Sequence, residues 1–245
     1  MDSKTKLELR TRVEALHKLF HQGGIPTLAQ HEVNPGLDPS SRLNYIYFTL
    51  PVCLNFQRSS PAMWASALKT FEDEETNYLF YPEKVVATEY KKVQQDLIKH
   101  KLGLQMNKHT EIWVKISTAL NELFNNDPRE VIKAGENDVV KILKLIRETH
   151  SESFPYLRGP KLSNYWLFIL DHFTDIELKN KEKLSIIPDT HIIQSTIHLG
   201  LTQPTATIPE IERAWVDLLA DSHLNPVDMH SVLWNWSRNT FKPEV

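Results

Sequence analysis

Lys161 follows Leu157-Arg158-Gly159-Pro160, and Asp189 follows Ile187-Pro188 and precedes Thr190-His191. Both stand where a helix is expected to begin, 28 residues apart. Pro160 suits the first position of a helix, which puts Lys161 in the first turn. The helix dipole disfavours positive charge there and so favours a free, nucleophilic amine. Asp189 precedes an apolar stretch and reads as an N-cap. Ile192, Ile193, Ile197 and Leu199 cover more than one face of that helix, so the capping carboxylate is expected in an interior or a cleft. An attacking amine and a carboxylate that stabilises developing positive charge can together cut the glycosidic bond to a nucleobase. Taken singly, each residue has a plainer reading, as a surface lysine and as an ordinary cap.

Other side chains could serve such a site. His191 shares the first turn with Asp189 and can donate to a phosphate. Gln57 and Trp64 lie seven residues apart near a helix start; a glutamine and an aromatic can read a flipped base by hydrogen bonding and stacking. Core packing for Trp64 and a surface amide for Gln57 are the plainer alternatives. Trp234 and Trp236 fall on opposite sides of one helix, so at most one faces a cleft. Lys91, Lys92, Lys99, Lys101 and Lys108 form a basic stretch, read first as a solvated face and second as a nucleic-acid track.

The elements that must hold these residues read as helices. Apolar spacing predicts helices over 6–20, 61–71, 84–101, 108–124, 139–149, 161–173, 189–199, 209–220 and 226–236, with a short one after Asp127-Pro128. Gly23-Gly24 and Gly200 close helices. Residues 43–56 are apolar and aromatic and fit a strand or buried helical pieces equally. Three prolines make 26–41 an irregular crossing. The expected fold is all-α, about ten helices in two lobes with a central cleft, forming one domain over 1–245 with its catalytic segment near 150–205.

Composition narrows the function. The chain has 245 residues, 41% hydrophobic and 24% charged, with a formal net charge of −3. That balance weighs mildly against a dedicated duplex-DNA binder, which usually neutralises phosphates with excess lysine and arginine. One cysteine, Cys53, excludes an internal disulfide, a four-cysteine zinc site and an iron–sulfur cluster within one chain. No apolar leader or run long enough to span a membrane occurs, so a cytoplasmic location is expected. With seven glycines, no GxGxxG, GxxxxGK[ST] or GxSxG is present. No cofactor or metal is expected.

Residues 157–166 (LRGPKLSNYW), 187–192 (IPDTHI) and 198–201 (HLGL) together resemble the catalytic core of helix-hairpin-helix DNA glycosylases, the superfamily of 8-oxoguanine glycosylase and endonuclease III. The resemblance implies Lys161 as the nucleophile on the anomeric carbon and Asp189 as the essential carboxylate. The family's L-P-G-V-G hairpin, whose amides bind a DNA phosphate, is here reduced to Leu157-Arg158-Gly159-Pro160. Pro160 has no N–H to give, and Arg158 is the candidate substitute.

A second, more diffuse resemblance is to queuosine-salvage glycosylases. It rests on His31-Glu32-Val33-Asn34-Pro35, Leu54-Asn55-Phe56, Glu152-Ser153-Phe154-Pro155, Asp189 with Gln194 and His198, and Leu233-Trp234 with Arg238. The acidic residue before their L-N-F segment and their K-R-A-Q run are missing. The leading expectation is thus a base-excision N-glycosylase on modified-base DNA, with abasic-site lyase activity through Lys161 and a nucleoid association. The alternatives are a hydrolase of a modified nucleotide and a non-catalytic interaction protein on the same scaffold.

Overall fold

The computed structural model describes residues 3–26 and 34–245; the His31-Glu32-Val33 part of the second resemblance lies outside them. Among the described residues there are twelve α-helices and no strand, only an isolated bridge between Asp138 and Lys179. The chain divides into two compact units, Met1–Ala29 with Lys181–Val245, and Gln30–Asn180.

The first unit contains α1 (Ser3–His21), α10 (Thr190–His198), α11 (Ile208–Leu219) and α12 (Met229–Arg238). Its core joins Leu9, Val13 and Leu16 of α1 to Ile192, Trp215, Leu233 and Trp236. Helices α10 and α12 pack closely, and Ser195 ties them by donating to the Leu233 carbonyl at 2.8 Å. Trp215 Nε1 donates to Thr196 Oγ1 at 2.9 Å, so a buried indole is satisfied inside the core. Gly200, at φ +77°, ends α10 in a conformation that side chains other than glycine adopt with strain.

The second unit runs from α2 (Arg42–Tyr47) through α3 (Ser60–Glu72), α4 (Pro82–Ala87), α5 (Tyr90–Lys99), α6 (Met106–Leu123), α7 (Pro128–Ala134) and α8 (Val139–Lys144) to α9 (Pro160–Phe173). Its centre is aromatic. Tyr47 packs on Trp64, Phe71 and Phe80, and Phe48 stacks on Phe173 with centroids 4.7 Å apart. Trp166 Nε1 donates to Thr49 Oγ1 at 2.9 Å and Trp113 Nε1 to the Leu79 carbonyl at 3.1 Å.

Three sequence expectations are refined. Residues 43–56 form α2 and a 3-10 turn, Pro51–Leu54, with Pro51 setting the break. The stretch 84–101 is two helices, because Thr88 is extended and closes α4 with its hydroxyl on the Lys84 carbonyl at 2.7 Å. Asp138 caps α8 as expected, but the last five residues, Leu145–Thr149, wind into a π-helical turn.

Candidate functional site

Lys161 lies in the first turn of α9, exposed, with its amine in no ion pair or hydrogen bond among the described residues. Gly159 occupies the N-cap and supplies no side-chain acceptor, so the first-turn amides of Lys161 and Leu162 stay open. A Cβ on Gly159 would come within 3.1 Å of the Tyr156 carbonyl, so the tight approach favours glycine.

The amides just before α9 are consumed locally. Leu157 N–H donates to the Pro155 carbonyl, Arg158 N–H to Phe154 and Gly159 N–H to Tyr156, at 2.7, 2.9 and 2.9 Å. This turn therefore offers no phosphate-binding amide before Lys161. Arg158, exposed beside it, pairs with Glu152 at 2.7 Å, a solvent-screened surface pair that an incoming phosphate can displace.

The start of α9 is braced from the π-helical turn. Arg147 Nε and Nη2 donate to Ser163 Oγ at 2.9 and 2.6 Å, and Nη2 reaches the Pro160 carbonyl at 3.2 Å. Ser163 in turn donates to the Gly159 carbonyl at 2.9 Å, and Asn164 Nδ2 to Pro160 at 2.7 Å. π-Helical turns recur where a helix must present a side chain off the regular repeat. Nothing in the sequence pattern marks Arg147, because a π turn has no composition signature.

Asp189 caps α10 in the other unit. Its Oδ1 accepts from the His191 and Ile192 amides at 2.9 and 3.0 Å, while Oδ2 takes no hydrogen bond among the described residues. The carboxylate is half-buried, with one oxygen fixed by the helix mouth and one uncommitted.

Two further candidate residues, His191 and Trp234, meet next to this cap. The His191 ring meets Trp234 edge-on at 5.1 Å, and its Nδ1 lies 3.1 Å from Ser237 Oγ. Ser237 Oγ also lies 3.1 Å from Gln194 Oε1. The Arg238 guanidinium sits over the Trp234 ring at 4.7 Å, a cation–π contact at the exposed end of α12. Trp236 donates to the Pro243 carbonyl at 2.9 Å, and both indoles are buried in the same core, Trp234 at 7% exposed and Trp236 at 1%. Trp234 is thus the member of the pair that touches His191, from within the core. Ser237 has no sequence signal; it is recognisable only once α10 and α12 are paired.

The base-reading role expected of Trp64 is corrected. Trp64 is 0% exposed, its Nε1 donates to Tyr165 Oη at 3.1 Å, and its ring lies against Tyr47 and Phe48. An enclosed indole leaves no face for a base to stack on. Gln57 is exposed, in the turn before α3, with a left-handed backbone at φ +54°. Of the basic stretch, Lys92 pairs with Asp96 and Lys99 with Asp73 and Glu75, so those two are neutralised locally.

No group of three or more histidine, cysteine, aspartate or glutamate side chains among the described residues could hold a metal ion, and no helix among them is long and apolar enough to cross a membrane. No protein-family description matches the chain, and no curated protein is significantly similar to it. Among solved structures, the chain is similar to a trapped endonuclease III–DNA covalent intermediate, an estranged-adenine complex. The identity is 16%, the match covers 98% of this chain and 89% of that one, and the TM-score is 0.55. The chain thus has an all-α fold like that of the endonuclease III structure.

Proposed function

We propose that the chain is an N-glycosylase that releases a modified base from DNA, with Lys161 as nucleophile and Asp189 as the carboxylate that balances positive charge on the sugar. The observation that carries this reading is the contrast between two helix mouths. Helix α9 leaves its first-turn amides and the Lys161 amine open, whereas α10 fixes one oxygen of Asp189 and leaves the other uncommitted. The solved structure of similar fold was trapped as a covalent intermediate with DNA, which supports a covalent step in this reading.

In this reading the Lys161 amine attacks C1′ as the base departs. The uncommitted Asp189 oxygen favours the charge developing on the sugar ring. The attacking nitrogen then sheds a proton, and the C1′–O4′ bond opens with O4′ taking a proton, which turns the aminal into an iminium link that permits strand cleavage at the abasic site. Arg147 acts as a positioning residue by holding the first turn of α9, and Arg158 takes a phosphate in exchange for Glu152. The His191 amide holds the carboxylate, and the Trp234 ring packs on the His191 ring.

Base release from duplexes carrying oxidised purines or pyrimidines tests the assignment. Wild-type protein is expected to release base, and Lys161→Ala and Asp189→Asn to lose at least about two orders of magnitude in single-turnover rate. Release at wild-type rates by either variant would remove that residue from the mechanism. Release from a free modified nucleotide but from no duplex would overturn the DNA assignment.

A further inference from the structure

Helix α1 ends on two histidines one turn apart. His17 and His21 stand at i and i+4, so their side chains share a face of the helix. Their Nε2 atoms are 3.1 Å apart. The ring centroids are 4.3 Å apart and the ring planes tilt by 55°. His17 is half-buried and His21 exposed, so the pair opens to solvent and has room on its outer side. Phe20 meets the His21 ring edge-on at 5.4 Å and steadies it.

A hydrogen bond between the rings accounts for this geometry only in part. The centroids are 1.2 Å further apart than the nitrogens (4.3 − 3.1). Two rings meeting head-on in a linear N–H···N bond would have centroids about 2 Å further apart than their nitrogens, and the linear bond is the strong one. At least one ring is therefore turned off the line between the nitrogens. The spacing is also the bite of a single ion. Two nitrogens each about 2.0–2.1 Å from a shared metal, at about 90–109° to one another, are about 2.9–3.4 Å apart.

The surroundings suit a cation held by neutral rings. An imidazole ligates only when unprotonated. Burial, and then His21, hold His17 below the ordinary histidine value; His223 adds to this, and Asp228 opposes it. Asp228 thus places a negative charge near the pair. The C-terminal end of a helix favours positive charge, which Lys18 in the same last turn partly uses.

We propose that His17 and His21 chelate one divalent transition-metal ion of the kind imidazole prefers, Zn2+, Ni2+ or Cu2+, with water in the remaining positions. Two ligands are fewer than a closed structural centre needs, in accord with the lack of any metal-holding group of three or more such side chains among the described residues. The site is an open surface chelate that exchanges its ion with solvent. By bridging residues one turn apart, the ion ties down the last turn of α1 ahead of Gly23-Gly24. The site stands apart from Lys161 and Asp189 and does not depend on the glycosylase reading.

Calorimetric titration of the full chain at neutral pH with Zn2+, and separately with Ni2+, tests it. The expected result is one saturable site, and saturation by either ion supports the proposal. Mg2+, which prefers oxygen ligands, is expected to give none. His17→Gln and His21→Gln are each expected to weaken binding at least about tenfold, the least that losing even a group supporting a ligand costs. Should His17→Gln not fold, His21→Gln, altered only at an exposed side chain, carries the test. No saturable binding of either ion, or binding that His21→Gln leaves unchanged, would overturn the proposal and leave the pair as a hydrogen bond. Equal binding of Mg2+ would also overturn it, by moving the ion to carboxylates.

Discussion

At the scale of single residues, Asp189 does two jobs that substitution separates. Its Oδ1 caps α10 through two amides, and its Oδ2 is open. Asparagine caps about as well as aspartate, whereas alanine does not. Asp189→Asn is therefore expected to keep wild-type stability, while Asp189→Ala loses about 1 kcal/mol in urea unfolding. If the asparagine variant both folds normally and keeps full activity, the carboxylate is a cap and nothing more.

His109 sets a second residue-scale expectation. Its pKa in the folded chain, pushed down to about 4 by burial and then by the positive charges of Arg58 and Lys108, is below the ordinary histidine value of 6.5. Between these values the unfolded chain binds more protons, so stability present above pH 6.5 is lost as pH falls toward 4. Asp73, held low first by Lys99 and then by His100, contributes only at still lower pH, so the two windows separate. Urea unfolding at pH 7 and at pH 4.5 is expected to show a smaller loss for His109→Gln than for wild type. An equal loss in both would mean that His109 is protonated in the folded chain.

At the scale of elements, the caps were legible and the irregular joints were not. Asp127, Asp138 and Asp189 each precede an apolar period, and each accepts from the first amides of its helix. That signal is local, so one sequence suffices to read it. At the break, the Thr88 hydroxyl turns back to Lys84, and from the π turn Arg147 reaches Ser163 across 16 residues; neither contact follows from periodicity. Trp64 looked like a base reader because a tryptophan near a helix start fits both a site and a core. Burial beneath Tyr47 and Phe48 decides it. Trp64→Ala is accordingly expected to cost about 3–5 kcal/mol of stability, measured by urea unfolding, and a loss below 1 kcal/mol would contradict its place in the core. Arg147→Ala is expected to cost about 1–3 kcal/mol and to slow base release, with Arg147→Lys restoring part of the stability but little of the rate. Unchanged kinetics in a folded Arg147→Ala protein would remove its positioning role.

At the scale of the whole molecule, the all-α fold was readable from helix periods and punctuation. The division between units was not, since it falls at Asn180/Lys181 within the segment 150–205 that the motifs marked as one. Lys161 belongs to one unit and Asp189 to the other, and the central claim is that Lys161 is the nucleophile. Borohydride reduction during turnover on oxidised-base duplex DNA tests this most directly. The account predicts a covalent protein–DNA adduct that peptide mapping places on Lys161, absent from Lys161→Ala and strongly reduced in Asp189→Asn. No adduct from wild-type protein across such duplexes, or one that persists in Lys161→Ala, would contradict it.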